Sequence, residues 1–394
     1  MLAAAGPTSL APPSQTGRAF HPTPVRIAID ARKLHDFGIG TYLRNLLREL
    51  SRLDDRSEYL LLCQPGDVGV ARQLGENFRA VPVVARPYSV AEQFAVPHVV
   101  HGLGVDVFHA PHYVLPPLVD VPAVVTIHDC IHLMFQQYLP NRLAYFYARS
   151  FLWLAAHRSA RVLTVSEASK RDILRFYRIP PEKIEVIYNA IDERFGIPPP
   201  EHEFTLVRER YQLDRQYILY AGNIRPHKNV DRLIEAYHQL RTEGFDQLML
   251  LIIGDEISKY PRLRRTVHRY KLHKHVRFLG YVPDQTLAVL YRLASVFVFP
   301  SLYEGFGLPP LEAMASGTPV VTSNVSSLPE IADDAAVLID PYDPAAIAQG
   351  IREVLTTPAL RQELVAKGLA CVRRYSWERS VRRIRDIYGE VARQ

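Results

Sequence analysis

This sequence predicts an α/β protein of two domains, each built on a parallel sheet. Three observations carry that reading. Short apolar runs alternate with amphipathic stretches, the order expected of strands and their crossover helices. The alternation comes in two series, one from Val25 and one from near Tyr217, parted by the segment Ile197-Pro198-Pro199-Pro200. The 394 residues suffice for two domains with separate cores. The expected divisions are a disordered tail over 1–24, Rossmann-like domains over 25–196 and 197–375, and a last helix over 376–394.

In the first series residues 25–30 read as a buried strand. Gly38-Ile39-Gly40 reads as a turn into a helix over 42–53, where Leu43, Leu46, Leu47 and Leu50 share one face. Residues 59–63, 81–85, 105–109 and 123–128 read as strands, and the last two end in histidine. Residues 142–157 are apolar enough for a packed helix. Residues 161–165 read as a strand, and Ser166 caps the helix that follows. In the second series the strands fall at 217–221, 248–253, 276–279, 296–299 and 319–322. Trp377, Val381, Ile384 and Tyr388 then share a face of the last helix.

Composition excludes several classes. Apolar content of 48% and charged content of 22% are ordinary for a soluble globular chain. Cys63, Cys130 and Cys371 are scattered, which suggests neither a zinc site nor a disulfide framework and fits a reducing compartment. No apolar run nears the ~20 residues of a membrane span. The first 24 residues lack the basic start and apolar core of a signal peptide. The net charge of +6 suits an anionic nucleotide, a lipid phosphate or an anionic membrane face. The ten basic residues within 262–277 lack aromatic interleaving, so they read as a solvated helix face and not as a nucleic-acid site.

Two stretches hold the chemistry. Phe299-Pro300-Ser301-Leu302-Tyr303-Glu304-Gly305-Phe306-Gly307-Leu308-Pro309-Pro310-Leu311-Glu312-Ala313 reads as strand, glycine loop and helix. The glycines let the backbone approach a ligand, and the helix start offers amides to an anion. Carboxylates for hydroxyls and amides for phosphate are what a nucleotide sugar needs. Two glutamates at this spacing occur by chance; the surrounding strand, glycine loop and Pro-flanked helix make the pair specific. Tyr220-Ala221-Gly222-Asn223-Ile224-Arg225-Pro226-His227-Lys228 follows the first strand of the second series. Its cations would hang over the C-terminal sheet edge, where open α/β sheets bind ligands, and could hold a diphosphate as it leaves.

The Glu304–Glu312 stretch resembles the E-x7-E signature of the retaining glycosyltransferases of family 4, which have the GT-B architecture. The likeness covers most of the chain from Val25 and is looser in the first domain. Residues 92–97 and 106–111 resemble a mannosyltransferase-like subgroup. The resemblance implies two sheets facing across a cleft, with the last helix crossing back to the first domain. It implies Lys228 on the donor pyrophosphate; the arginine many members carry after the glycine is Asn223 here, and Arg225 is its substitute. Thr126-Ile127-His128-Asp129 is similar to the family's His-Asp element, which places His128 against the donor sugar. Glu304 would hold sugar hydroxyls and Glu312 the ribose. Gly305, Phe306, Gly307 and Leu308 would present amides, while Gly38, Gly40, Gly222 and Asn324 would line the donor site, with Glu330 a further candidate.

The implied reaction moves a hexose from GDP-mannose or a UDP-hexose to a glycan or lipid-linked glycan hydroxyl, with retention and no metal or other cofactor. The implied setting is cytoplasmic, peripheral at the inner membrane face, in surface polysaccharide assembly. A sugar-nucleotide epimerase, a phosphorylase and a non-catalytic glycan-binding protein are the rivals. A NAD-dependent dehydrogenase is disfavoured, because Leu43 stands where a third glycine belongs and no acid ends the second strand.

Overall fold

The computed structural model describes residues 24–255 and 257–394. The tail expected over 1–24 lies outside them except for Pro24. The first sheet has seven parallel strands in the order β3-β2-β1-β4-β5-β6-β7. They are β1 (Arg26–Asp30), β2 (Glu58–Cys63), β3 (Phe78–Pro82), β4 (Val107–Ala110), β5 (Ala123–Thr126), β6 (Arg161–Thr164) and β7 (Ile184–Val186). The second has six, in the order β10-β9-β8-β11-β12-β13: β8 (Tyr217–Ala221), β9 (Met249–Ile253), β10 (Val276–Gly280), β11 (Val296–Phe299), β12 (Val320–Ser323) and β13 (Ala336–Ile339).

Helices cover both faces of each sheet, which is why the central strands are largely apolar, with Asp30, His109 and Thr126 the buried polar residues of β1, β4 and β5. One core surrounds β8 to β12, and two cores lie on opposite faces of the first sheet. The last helix, Trp377–Val391, packs Trp377, Val381, Ile384, Ile387 and Tyr388 into one of these first-sheet cores. Strand order reverses between β1 and β4 and again between β8 and β11. Chain ends splay apart at such a switch point and leave a crevice at the C-terminal edge.

Several sequence expectations shift. The third strand is Phe78–Pro82 and not 81–85, because Phe78 is the apolar residue that pairs with Tyr59. The first helix starts at Phe37, so Gly38 and Gly40 lie in its first turn and not in a loop before it. The short strands β7 and β13 were not expected; β13 alternates too weakly to show, with only Ile339 buried. The helix Arg142–Arg158 buries only Ala148, Leu152, Ala155 and Ala156. Its outer face carries exposed Leu143, Phe146 and Trp153, so it is less packed than its composition suggests. No helix among the described residues is long and apolar enough to cross a membrane.

Candidate functional site

The crevice between β8 and β11 holds the charged pair. β8 ends at Ala221, and Gly222 turns the chain at φ +149°. A single 3-10 turn, Pro226–Lys228, then brings Lys228 back over the sheet edge. β11 ends at Phe299 and its loop carries Glu304. The Lys228 Nζ lies 2.6 Å from Glu304 Oε1, with side-chain exposures of 12% and 13%. The ammonium also sits 5.2 Å from the Phe299 ring centroid. A pair this dry interacts strongly, so neither group is held loosely.

The loops are braced from below. Leu302 N–H donates to the His227 carbonyl at 2.7 Å, and Ser301 Oγ does so at 3.1 Å. Ser326 Oγ accepts from the Glu304 amide and donates to the Glu304 carbonyl at 2.7 Å. Ser327 Oγ reaches the Phe306 carbonyl at 2.6 Å. Gly307 has φ +122°, and a Cβ there would meet Leu328 at 2.9 Å. The helix Leu308–Ala315 opens directly after it. Its Glu312 accepts from Tyr291 OH at 3.0 Å. Burial pushes the Glu312 pKa up to about 7, against the Tyr291 hydrogen bond, with Asp284 and Asp192 adding to the rise.

Across the cleft, His128 follows β5. Its Nε2 bonds the Pro111 carbonyl at 2.9 Å, so that nitrogen carries the proton. Its ring meets Tyr42 edge-on at 4.9 Å. Burial lowers its pKa, with His112 adding to the effect. The backbones of the two domains touch here: a Cβ on Gly305 would lie 2.5 Å from the His128 carbonyl oxygen. His128, Lys228, Glu304 and Gly305 therefore gather in one place.

The closed contact is fastened by side chains that the motifs do not announce. Ser166 Oγ donates to the Gly305 carbonyl at 2.7 Å. Tyr303 OH donates to Asp172 at 2.7 Å and accepts from the Cys130 amide at 3.1 Å. The Glu330 carboxylate accepts from the Glu167 and Ala168 amides at 2.7 and 2.9 Å. It caps the helix Glu167–Phe176 of the other domain, a favourable place for a carboxylate. Glu330 thus serves the closure and is already engaged there. Its partners lie more than 160 positions away, so no local pattern could have named them.

Other candidates take no direct part in the Lys228–Glu304 ion pair. Arg225 is exposed; its carbonyl accepts from the Lys228 amide at 2.9 Å, while its side chain makes no hydrogen bond or ion pair among the described residues. It lines an interdomain cleft of about 470 Å3 with His132, Phe135, Tyr138, Asp255 and Tyr260. Asn324 is exposed; its main-chain amide pairs with the Ile339 carbonyl, and no side-chain bond is present among the described residues. A Cβ on Gly40 would strike the Leu34 carbonyl at 2.5 Å, whereas Gly38 faces open space. Phe306 is buried, and Leu308 and Gly222 are half-buried beside the loops.

The other switch point, between β1 and β4, is closed by charge. Asp30, Glu92 and His112 bring possible ligand atoms within 4.8 Å of one another. The Arg32 guanidinium already joins the carboxylates at 2.6 Å each. Burial alone would raise the Asp30 pKa, but Arg32 holds it well below the usual carboxylate range. A metal would have to displace that buried cation, so the group reads as a structural ion cluster.

Two family models match this chain. Residues 38–195 fit the one described as Glycosyltransferase Family 4, and residues 204–370 fit Glycosyl transferases group 1. The chain is 37% identical over 273 residues to the O-antigen chain mannosyltransferase B of Escherichia coli, covering 69% of this chain and 71% of that one. It is 30% identical over 309 residues to the serotype-specific mannosyltransferase WbdA of Escherichia coli, covering 74% of this chain but 36% of that one. The chain thus spans about a third of WbdA. In fold it is similar to a sucrose-phosphate synthase from Thermosynechococcus elongatus, with TM-score 0.76 and 22% identity over 93% of this chain and 99% of that one.

Proposed function

The chain belongs to the family 4, group 1 glycosyltransferases and is a glycosyltransferase of GT-B fold, and from that premise we propose that it transfers mannose with retention from GDP-mannose to a hydroxyl of a glycan or lipid-linked glycan. A UDP-hexose is the next donor to test. Surface polysaccharide assembly at a membrane face is the setting, given relatives named as O-antigen and serotype-specific mannosyltransferases.

One observation carries the reading: the 2.6 Å Lys228–Glu304 pair at the switch point, opposite His128. A donor entering there gives each charge a new partner. The diphosphate takes the ammonium, and sugar hydroxyls take the carboxylate. The acceptor oxygen then bonds to the anomeric carbon on the face from which the diphosphate departs. The bond from that carbon to the phosphate oxygen breaks, and the acceptor proton passes to the leaving diphosphate. No protein base is required. Lys228 stabilises the charge that grows on the leaving group, a contact typically worth roughly 3 kcal/mol of barrier.

In this scheme Arg225 serves the outer phosphate from the cleft edge. The Gly305, Phe306, Gly307 and Leu308 amides face the phosphates, and Glu312 binds the ribose. His128, neutral and fixed by Pro111, supports positive charge at the anomeric carbon through its carbonyl. Gly38, Gly40, Gly222 and Asn324 line the donor's path. We assign no metal or other cofactor to the reaction, because Lys228 and Arg225 supply the positive charge.

A panel of GDP, UDP, NAD and their sugar derivatives tests the donor class by thermal stabilisation. The expected result is a shift with GDP species, none with NAD, and an α-linked product from an α-linked donor. Lys228→Ala should lower kcat on the order of a hundredfold. Failure of every nucleotide to stabilise the chain would sink the proposal, and near-normal turnover in the variant would remove Lys228 from its role.

A further inference from the structure

The helix Arg142–Arg158 presents an unusual outer face. Leu143, Phe146 and Trp153 are 78%, 54% and 50% exposed. They fall on one side of the helix with Arg142, Arg149 and His157, opposite buried Ala148, Leu152 and Ala155. Phe176 extends the apolar surface from the next helix, itself 37% exposed. Between the two helices runs a groove of about 570 Å3, walled by Phe146, Arg149, Trp153, His157, Phe176 and Arg178. The helix Arg142–Arg158 contains no Asp or Glu, although the chain has 41 acids. Arg175 and Arg178 stand exposed beside it.

Exposed aromatic and aliphatic side chains ringed by arginine fit the boundary between headgroups and acyl chains. The apolar groups enter the interface while the guanidinium groups stay with anionic headgroups. A protein partner would meet a face without a carboxylate and with four or more arginines. Such a face is matched best by a surface of negative charge.

The opposite side of the helix gives the location a purpose. Ala144, Tyr147 and Ala148 line a second cleft of about 570 Å3, shared with Asp36, His132 and Arg225. Arg225 also borders the interdomain cleft beside the donor loops. One helix therefore separates the exposed apolar face from the entrance to the candidate active site.

We propose that this outer face docks the chain on an anionic membrane surface, so that a lipid-linked acceptor reaches the cleft along the inner face. The acceptor part rests on the proposed function; the docking itself does not. The basic segment around Arg262–Arg265, also a candidate for lipid contact, lacks exposed aromatic residues, and Arg262 is paired with Asp231.

Trp153 supplies a built-in reporter, because the chain's other tryptophan, Trp377, is only 6% exposed. The experiment uses the full chain with vesicles of phosphatidylethanolamine and phosphatidylglycerol, against vesicles of phosphatidylcholine alone. We expect co-sedimentation with the anionic vesicles, a blue shift of Trp153 emission, and release by salt. Leu143→Ser and Phe146→Ser should each weaken partition on the order of tenfold, with nucleotide affinity unchanged. Arg149→Glu should weaken it too.

Absence of anionic-vesicle binding, or equal binding by the serine variants, overturns the docking face. A dimer in sedimentation velocity that the same variants dissociate would show a second copy on this face, and overturns it as well. Nucleotide binding on the same samples separates the two readings. If it persists while vesicle binding fails, the docking proposal falls and the donor reading stands.

Discussion

Glu312 is a carboxyl whose burial and whose proposed ligand pull in opposite directions. Burial pushes its pKa up to about 7, while ribose hydroxyls would hydrogen-bond best to the ionised form. Between the ordinary carboxyl range and about 7 the folded chain keeps a proton that the unfolded chain has released. Glu312 therefore subtracts stability as pH rises through that window. Ligand binding should run the other way. Affinity for a nucleoside diphosphate sugar, whose own phosphates do not titrate there, should rise about tenfold from pH 6 to pH 8. Glu312→Gln should bind more weakly and lose this dependence, as measured by calorimetry at several pH values. An unchanged pH profile in the variant would remove Glu312 from the ribose. Lys228, Glu304 and Glu312 were legible in the sequence because each lies within a short strand-loop-helix stretch. Arg225 was legible as a cation, but not as an exposed one whose side chain makes no ion pair among the described residues. Ser326 and Ser327 were overlooked because a serine says little until the loop it braces is known.

At the scale of elements, the last helix is anchored by more than its apolar stripe. Tyr388 OH meets His109 Nδ1 at 2.6 Å, and His109 Nε2 meets Thr126 Oγ1 at 2.9 Å. Ser380 Oγ donates to the Tyr188 carbonyl at 2.6 Å, and Arg383 pairs with Glu185 on β7. The helix stripe was visible in the sequence, because a spacing of three and four residues needs no partner to be seen. The His109 contact spans 279 positions and left no local trace. The edge strands β7 and β13 were missed for a related reason: they are short, and their side chains are only partly buried. Tyr388→Phe leaves a fully buried imidazole nitrogen without its partner, so it should cost about 1–3 kcal/mol in denaturant unfolding. Burial also pushes the His109 pKa down to about 3. Above its ordinary value of 6.5 the neutral ring costs nothing; as pH falls below it, the unfolded chain gains a proton that the folded chain refuses. Stability from this residue is lost at about 1.4 kcal/mol per pH unit down to the folded value. His109→Gln should flatten the fall of Tm between pH 7 and pH 5; an equally steep fall would locate the acid sensitivity elsewhere.

For the whole molecule, the decisive contact is the one at which two separately folded sheets bring backbone against backbone. Gly305 is required there by the other domain and not by its own loop. It is absent from the positive-φ glycines, so an alanine fits the local chain. Its Cβ would nevertheless lie 2.5 Å from the His128 oxygen and 3.1 Å from Asp129 Cβ. The first of these is main chain that cannot swing aside, so the domains would have to part. Gly305→Ala should therefore leave the Tm and nucleotide affinity close to normal, because each core and Glu312 are untouched. Turnover should fall on the order of a hundredfold, the usual result of displacing reacting groups by about 1 Å. Glu330→Ala acts on the same closure differently. It frees the amides of Glu167 and Ala168 without inserting an obstacle, so the domains can still meet and the loss should be smaller. Steady-state kinetics, with X-ray scattering for the radius of gyration, distinguish the two. A Gly305→Ala chain with unaltered turnover would mean that catalysis proceeds with the domains further apart than they stand here. A large loss in Glu330→Ala with none in Gly305→Ala would make the helix cap, and not the backbone contact, the element that holds the working geometry.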